Sequence, residues 1–218
     1  MKHLVRGFAL PTLMVMLALA SIATLLAMRN LWVNDQLLNA EADQLRTRHK
    51  AEAAMPVALA DILGSATNRD GTTNLRHAPG NATQTHAFFP TSMGEYDLLR
   101  QRLSAETSPC NAGICSPHTL DSKATKAGYW KTQTVAAMPV SPPDTPYGDD
   151  TAWYWVEVLP QRSTNSINAT SHSPFVYRIT ALAHGVMPGS TTVLQAIWSR
   201  HSDTSLTGQW HSWHVLHD

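Results

Sequence analysis

Three groups of residues in this chain are of types that can do chemistry. The first is Cys110 and Cys115, in the run Ser108-Pro109-Cys110-Asn111-Ala112-Gly113-Ile114-Cys115. Their spacing is too wide for a CxxC redox pair, and two cysteines fall short of a structural zinc site. In an oxidising compartment they would close a small loop contributing about 2 kcal/mol; in a reducing one they would remain thiols of no consequence. The second group is the 11 histidines, densest at His211, His214 and His217. On a strand His214 faces away from the other two, and on a helix all three share a side. Metal ligation needs convergent ligands with supporting hydrogen bonds, and scattered surface histidines are commoner, so no metal and no cofactor are expected. The third group is the seven tryptophans. Trp153, Trp155 and Trp198 could form a stacking surface, but their strand-like context favours core packing. The chain has no GxSxG, Walker loop, GxGxxG or HExxH motif. No catalytic residue is therefore named and no enzyme is expected.

Charge excludes one further class. Formal net charge is zero over 218 residues, so no global basic field favours a nucleic-acid partner. Charged residues are 15%, low against a typical quarter, and the balance is made up by small polar residues, Pro and Gly.

The elements that position these residues begin with an apolar run, Phe8 to Met28, without a charge. As a helix it spans roughly 31 Å, which matches a hydrocarbon core. Lys2 and Arg6 precede it and favour a cytoplasmic N-terminus. Two other readings compete. A buried core helix would have to hide an uninterrupted run at the N-terminus. A cleaved secretory signal would use Ala18-Leu19-Ala20, leaving Ser21 at the new terminus and IATLLAM exposed behind it.

Beyond the apolar run, Asn30 to Met55 lacks Gly and Pro and is rich in helix formers. Leu31, Leu38, Ala42 and Leu45 repeat at helical spacing. Pro56 is expected to end or kink this helix near Met55, with a second short piece running to Gly64. Residues 64–95 read as loop, Glu95 to Ala105 as a short helix with Leu98, Leu99 and Leu103 inward, and residues 139–150 as a Pro-rich connector. Strands are expected at Trp130–Ala136, Ala152–Leu159, Phe175–Ala183, Thr191–Ser199 and Gln209–Leu216, with a turn at Met187–Ser190. Alternation places Tyr154, Val156 and Val158 on one face and Trp153, Trp155 and Glu157 on the other. The expected fold class is α+β, a long N-terminal helix against an antiparallel sheet.

The junction Arg6-Gly7-Phe8-Ala9-Leu10-Pro11-Thr12, between a short basic leader and the apolar helix, resembles the leader of type IV prepilins and pseudopilins. That resemblance implies cleavage by a prepilin peptidase between Gly7 and Phe8, followed by methylation of Phe8. The family usually carries a Glu at the fifth mature position; this chain has Thr12 there. In the family that carboxylate pairs with a neighbouring subunit's terminal amine, so its loss points away from a bulk shaft subunit. The segment His49-Lys50-Ala51-Glu52-Ala53-Ala54-Met55 resembles the A-x-E-A-A stretch of PilX-like type IV pilus assembly proteins. Cys110 to Cys115 resembles their short cysteine-bounded loop, and Phe175 to Arg200 their closing hairpin.

The resemblance implies a leader at 1–7, a membrane helix at 8–28, its continuation at 29–63 and a pilin-like head at 64–218. It implies a minor pilin that primes assembly or sits at a tip, where adhesion would be its use. The implied partners are other minor and major pilins, the prepilin peptidase and the inner-membrane assembly platform. The implied location is the inner membrane, then the pilus surface. The alternative is a bitopic membrane protein with a periplasmic binding or sensory domain.

Overall fold

The computed structural model describes residues 9–64, 76, 87–117, 120–140, 152–161, 173–202 and 205–217. The chain divides after Asp43 into two units, and each is described by itself. In the first, helix α1 begins at Ala9 and runs without interruption. Pro11 falls in its first turn, where a missing N–H costs no intrahelical bond. The apolar side chains from Leu10 to Met28 are exposed, Leu10 at 72% and Leu25 at 66%. Two hydroxyls in this stretch turn back on the helix itself, Ser21 Oγ donating to the Ala18 carbonyl and Thr24 Oγ1 to the Ser21 carbonyl, each at 2.8 Å.

In the second unit α1 continues to Ile62 and passes through Pro56, where an end or kink near Met55 was expected. The ring removes one backbone bond. Burial of Ala51, Ala54, Met55, Ala58 and Ile62, which recur at helical spacing on both sides of Pro56, offsets that loss. The helix stops where Gly64 takes φ 71°, and the Gly64 N–H returns to the Asp61 carbonyl at 3.1 Å.

Helix α2, Met93–Ala105, is capped by Ser92, whose Oγ accepts from the Glu95 N–H at 3.3 Å. Tyr96, Leu99 and Leu103 are buried at spacings of three and four. Leu98 is 57% exposed, contrary to the expected inward set, because its position falls off that stripe.

Among the described residues seven strands form one sheet. They are β1 Cys110–Asn111, β2 Ile114–Cys115, β3 Met138–Val140, β4 Ala152–Pro160, β5 Phe175–His184, β6 Thr191–Arg200 and β7 Gly208–Leu216. The order is β1-β2-β4-β5-β6-β7, with β3 also paired to β4. All pairs are antiparallel except β2 with β4. A long apolar N-terminal helix with a mostly antiparallel sheet is a pilin-like α+β arrangement.

Two expectations are corrected here. Trp130–Ala136 is no strand: Ala127–Lys131 is a short helix, α3, and Thr134–Ala136 a single 3-10 turn. The Trp130 indole donates to the Ala124 carbonyl at 3.0 Å, a bond that draws the segment into a compact turn. Pro139 is not connector but the middle of β3, a strand paired on one side only, where a proline is tolerated.

Alternation along β4, β5 and β6 sends side chains to two cores. On the helix face, Tyr154, Val156, Val158, Tyr177, Ile179, Leu194 and Trp198 meet the buried side of α1 and α2. On the loop face, Trp155, Leu182, Val193 and Leu216 meet Cys110, Cys115, Leu120, Ala124 and Trp130.

Candidate functional site

Gly7 and Phe8 lie outside the described residues. Thr12 is described, exposed in the first turns of α1. Around and beyond it the helix presents apolar side chains on every side, with no charge between Leu10 and Met28. A helix apolar all round is made for a nonpolar surrounding. Among the described residues one helix is long and apolar enough to cross a membrane. Trp32, 63% exposed, follows just past the run, at the depth where an indole suits a membrane–water boundary.

In the head, Cys110 and Cys115 are joined by a disulfide, paired across the β1–β2 hairpin. Both are buried. The turn between them needs left-handed backbone at Ala112, φ 48°, and Gly113, φ 79°. A Cβ on Gly113 would lie 2.9 Å from the Met138 nitrogen and 3.0 Å from the Tyr154 carbonyl oxygen, so glycine alone lets the hairpin approach. In return the Gly113 N–H reaches the Ala136 carbonyl at 2.7 Å, and its own carbonyl accepts from Val156 at 2.6 Å.

Two buried ion pairs are the strongest electrostatic features. On the helix face, Asp61 near the end of α1 is ion-paired with Arg76 and accepts the Tyr154 hydroxyl at 2.8 Å. The Arg76 guanidinium also donates to the Ala112 carbonyl at 2.6 Å, tying α1 to the disulfide hairpin. Burial, and behind it the Asp61 carboxylate, raise Tyr154 far above the ordinary phenol range, so it stays a donor. On the loop face, Arg178 grips Glu157 with two bonds of 2.6 Å. Burial still raises Glu157 above the ordinary carboxylate range, against the lowering effect of Arg178. Both pairs join core elements to one another, and neither sits beside a nucleophile. Sequence reasoning missed both, because the partners are far apart in the chain and Arg76 sits in a loop-like stretch.

A register shift opposite Ile197 and Trp198 leaves His211 as the extra residue of β7, and His214 pairs with Gln195. Among the described residues no group of three His, Cys, Asp or Glu could hold a metal. The same bulge puts Trp210 and Trp213 together, ring centroids 5.6 Å apart and both partly exposed. Trp155 and Trp198 are core residues, Trp153 is half-buried, and Trp130, read as part of a strand, is fully buried.

Residues 100–200 match the family model described as type IV pilus assembly protein PilX C-term. The matched stretch runs from within α2 through the disulfide hairpin and α3 to the last residue of β6. The similarity to PilX-like proteins is thus shown for the centre of the head. No curated protein and no solved structure matches the chain.

Proposed function

We propose that this chain is a minor pilin that takes part in assembling a type IV pilus. The observation that carries the reading is the PilX match over residues 100–200, which supports involvement in type IV pilus assembly. The exposed apolar stretch of α1 agrees with it: a helix that can cross a membrane can also pack among other such helices. In this reading the chain is a structural subunit without catalysis. The prepilin peptidase cuts between Gly7 and Phe8, Phe8 is methylated, and the helix anchors the subunit in the inner membrane with its N-terminus cytoplasmic. The helix then joins those of other pilins on the assembly platform. Thr12, in place of the usual acid, suits a subunit that primes the fibre or stays at its tip.

The test is the N-terminal mass of the protein purified from membranes. A methylated Phe8 terminus is expected. An intact Met1 would mean a fixed anchor, and a Ser21 terminus a secreted protein; either sinks the reading. Thr12→Glu should be tolerated without raising the subunit's copy number in pili, and a large rise would rule out the tip or priming position.

A further inference from the structure

β7 lies at one margin of the sheet, and among the described residues no strand lies beyond it. In an antiparallel strand alternate residues aim their N–H and C=O groups to opposite sides. One set of β7's backbone groups therefore meets β6, and the other faces outward as an open row of donors and acceptors. The side-chain bond described for β7, between His211 Nε2 and Ser199 Oγ at 2.6 Å, also runs to β6.

The opposite margin is built differently. There β3 carries Pro139, which has no N–H to offer, and β1 is two residues closed by the disulfide. A proline and a very short strand are ordinary devices that keep an edge from pairing. β7 has nine residues, and none of them is Pro, Lys, Arg, Asp or Glu. Its bulge lies near its start, and from Ser212 to Leu216 its register with β6 is regular. Along that run Trp213 stands opposite Ala196 and Val215 opposite Leu194, so both lie on the helix face. Ala196 and Leu194 are fully buried there, yet Trp213 is 43% exposed. The apolar layer of the helix face thus ends on an indole with one side uncovered. Ser212 and His214, on the other face, are polar.

We propose that β7 accepts an added strand: an extended segment of a partner protein pairs with its outer edge along Ser212–Leu216. A row of alternating backbone donors and acceptors is matched by another extended backbone. The side chains define the segment further. Apolar residues belong at its alternate positions, beside Trp213 and Val215, and small polar residues between them, beside Ser212 and His214. A charged residue next to Trp213 would be buried without an opposite charge on β7. The inference does not rest on the assembly reading, since the edge belongs to the head whether or not the chain is a pilin.

The test uses the full chain in maltoside micelles and a synthetic peptide copying Thr191–Arg200, the strand that β7 already pairs with on its inner side. Its Leu194, Ala196 and Trp198 supply the alternate apolar positions. The peptide should bind saturably and slow amide exchange in the segment 208–216 at least ten-fold. The same peptide carrying Gln195→Pro and Ile197→Pro loses ladder donors and should not bind. Trp213→Lys in the chain places a charge at an exposed position; it should raise Kd at least ten-fold and leave the Tm of the chain near that of the parent. The proposal is overturned if the peptide does not saturate, if the proline peptide binds equally well, or if binding leaves exchange in β7 unchanged. An unchanged Kd in Trp213→Lys overturns it as well. Sedimentation without peptide covers the remaining occupant: self-association that protects β7 would give the edge to a second copy of this chain and rule out the partner.

Discussion

The two faces of the sheet solve the same problem in different ways. The helix face is covered by regular elements, α1 and α2, whose buried residues repeat at helical spacing. The loop face is covered by a disulfide hairpin, the five-residue α3 and a 3-10 turn around Trp130. Among the described residues each face buries one ion pair. On the helix face the carboxylate of Asp61 has donors from two places, Arg76 and Tyr154. On the loop face the hydrogen bonds described for Glu157 both come from Arg178. The Asp61 tie joins α1 to the Arg76 segment and to β4, whereas the Glu157–Arg178 pair lies within the sheet, between register partners of β4 and β5, with Asp121 of the loop-face cover 3.9 Å from Arg178. The loop face is therefore the one a single substitution breaks.

Arg178→Met is expected to have the largest effect. It leaves the Glu157 carboxylate fully buried without its partner, a loss of about 3–5 kcal/mol at neutral pH. Burial already raises Glu157, and the variant raises it further. A carboxylate raised in the folded state favours folding below its ordinary value, and that contribution is lost as pH rises through the folded value. The defect should thus shrink as the pH is lowered toward the ordinary carboxylate range, which urea midpoints at two pH values would show. Arg76→Met should cost less, because Asp61 keeps the Tyr154 hydroxyl. Equal losses in the two variants would remove the contrast between the faces.

The cover of the helix face can be tested one helix position at a time. Leu99→Ala opens a cavity against α1 and the sheet and should cost about 3 kcal/mol. Leu98→Ala, at an exposed position, should stay within about 0.5 kcal/mol of the parent. Thermal melts of the pair would decide which side of α2 faces inward. On the loop face, replacing both Cys110 and Cys115 with Ala should cost about 2 kcal/mol, the contribution of closing so short a loop. A non-reducing melt beside a reduced one on the parent chain checks that figure.

The same contrast explains what the sequence could tell. The helix face was legible: alternation sorted Tyr154, Val156 and Val158 from Trp153, Trp155 and Glu157, and the structure keeps them apart. The hairpin strands Phe175–His184 and Thr191–Arg200 and the turn between them follow from the same period. The loop face was not legible, because its cover has no period. Trp130 sits among residues with strand propensity, yet its indole bond to Ala124 and its contact with Trp155, ring centroids 4.9 Å apart, override that preference. Pro56 misled for a related reason. A local breaker signal says nothing of the buried alanines on either side that carry α1 through it. At the candidate site, Gly7 and Phe8 stand out only as a short junction, while Arg76 meets Asp61 and the Ala112 carbonyl through contacts that no local pattern in the sequence shows.

The smallest effect sits at the rim of the loop face. His184 closes β5, its Nδ1 3.1 Å from Thr191 Oγ1 and its ring edge-on to Trp153 at 5.3 Å. Burial, and after it the charge of Lys131, hold its ring below the ordinary imidazole range. The unfolded chain then takes up more protons than the folded one between the two values. The stability that His184 contributes is present above the ordinary imidazole value and is lost as pH falls from there through the folded value. The Tm of the parent should decline gently as pH drops below about 6.5. His184→Gln keeps a side chain able to bond Thr191 and cannot take up a proton in this range, so it should flatten that part of the slope. An unchanged slope would mean that another group carries it.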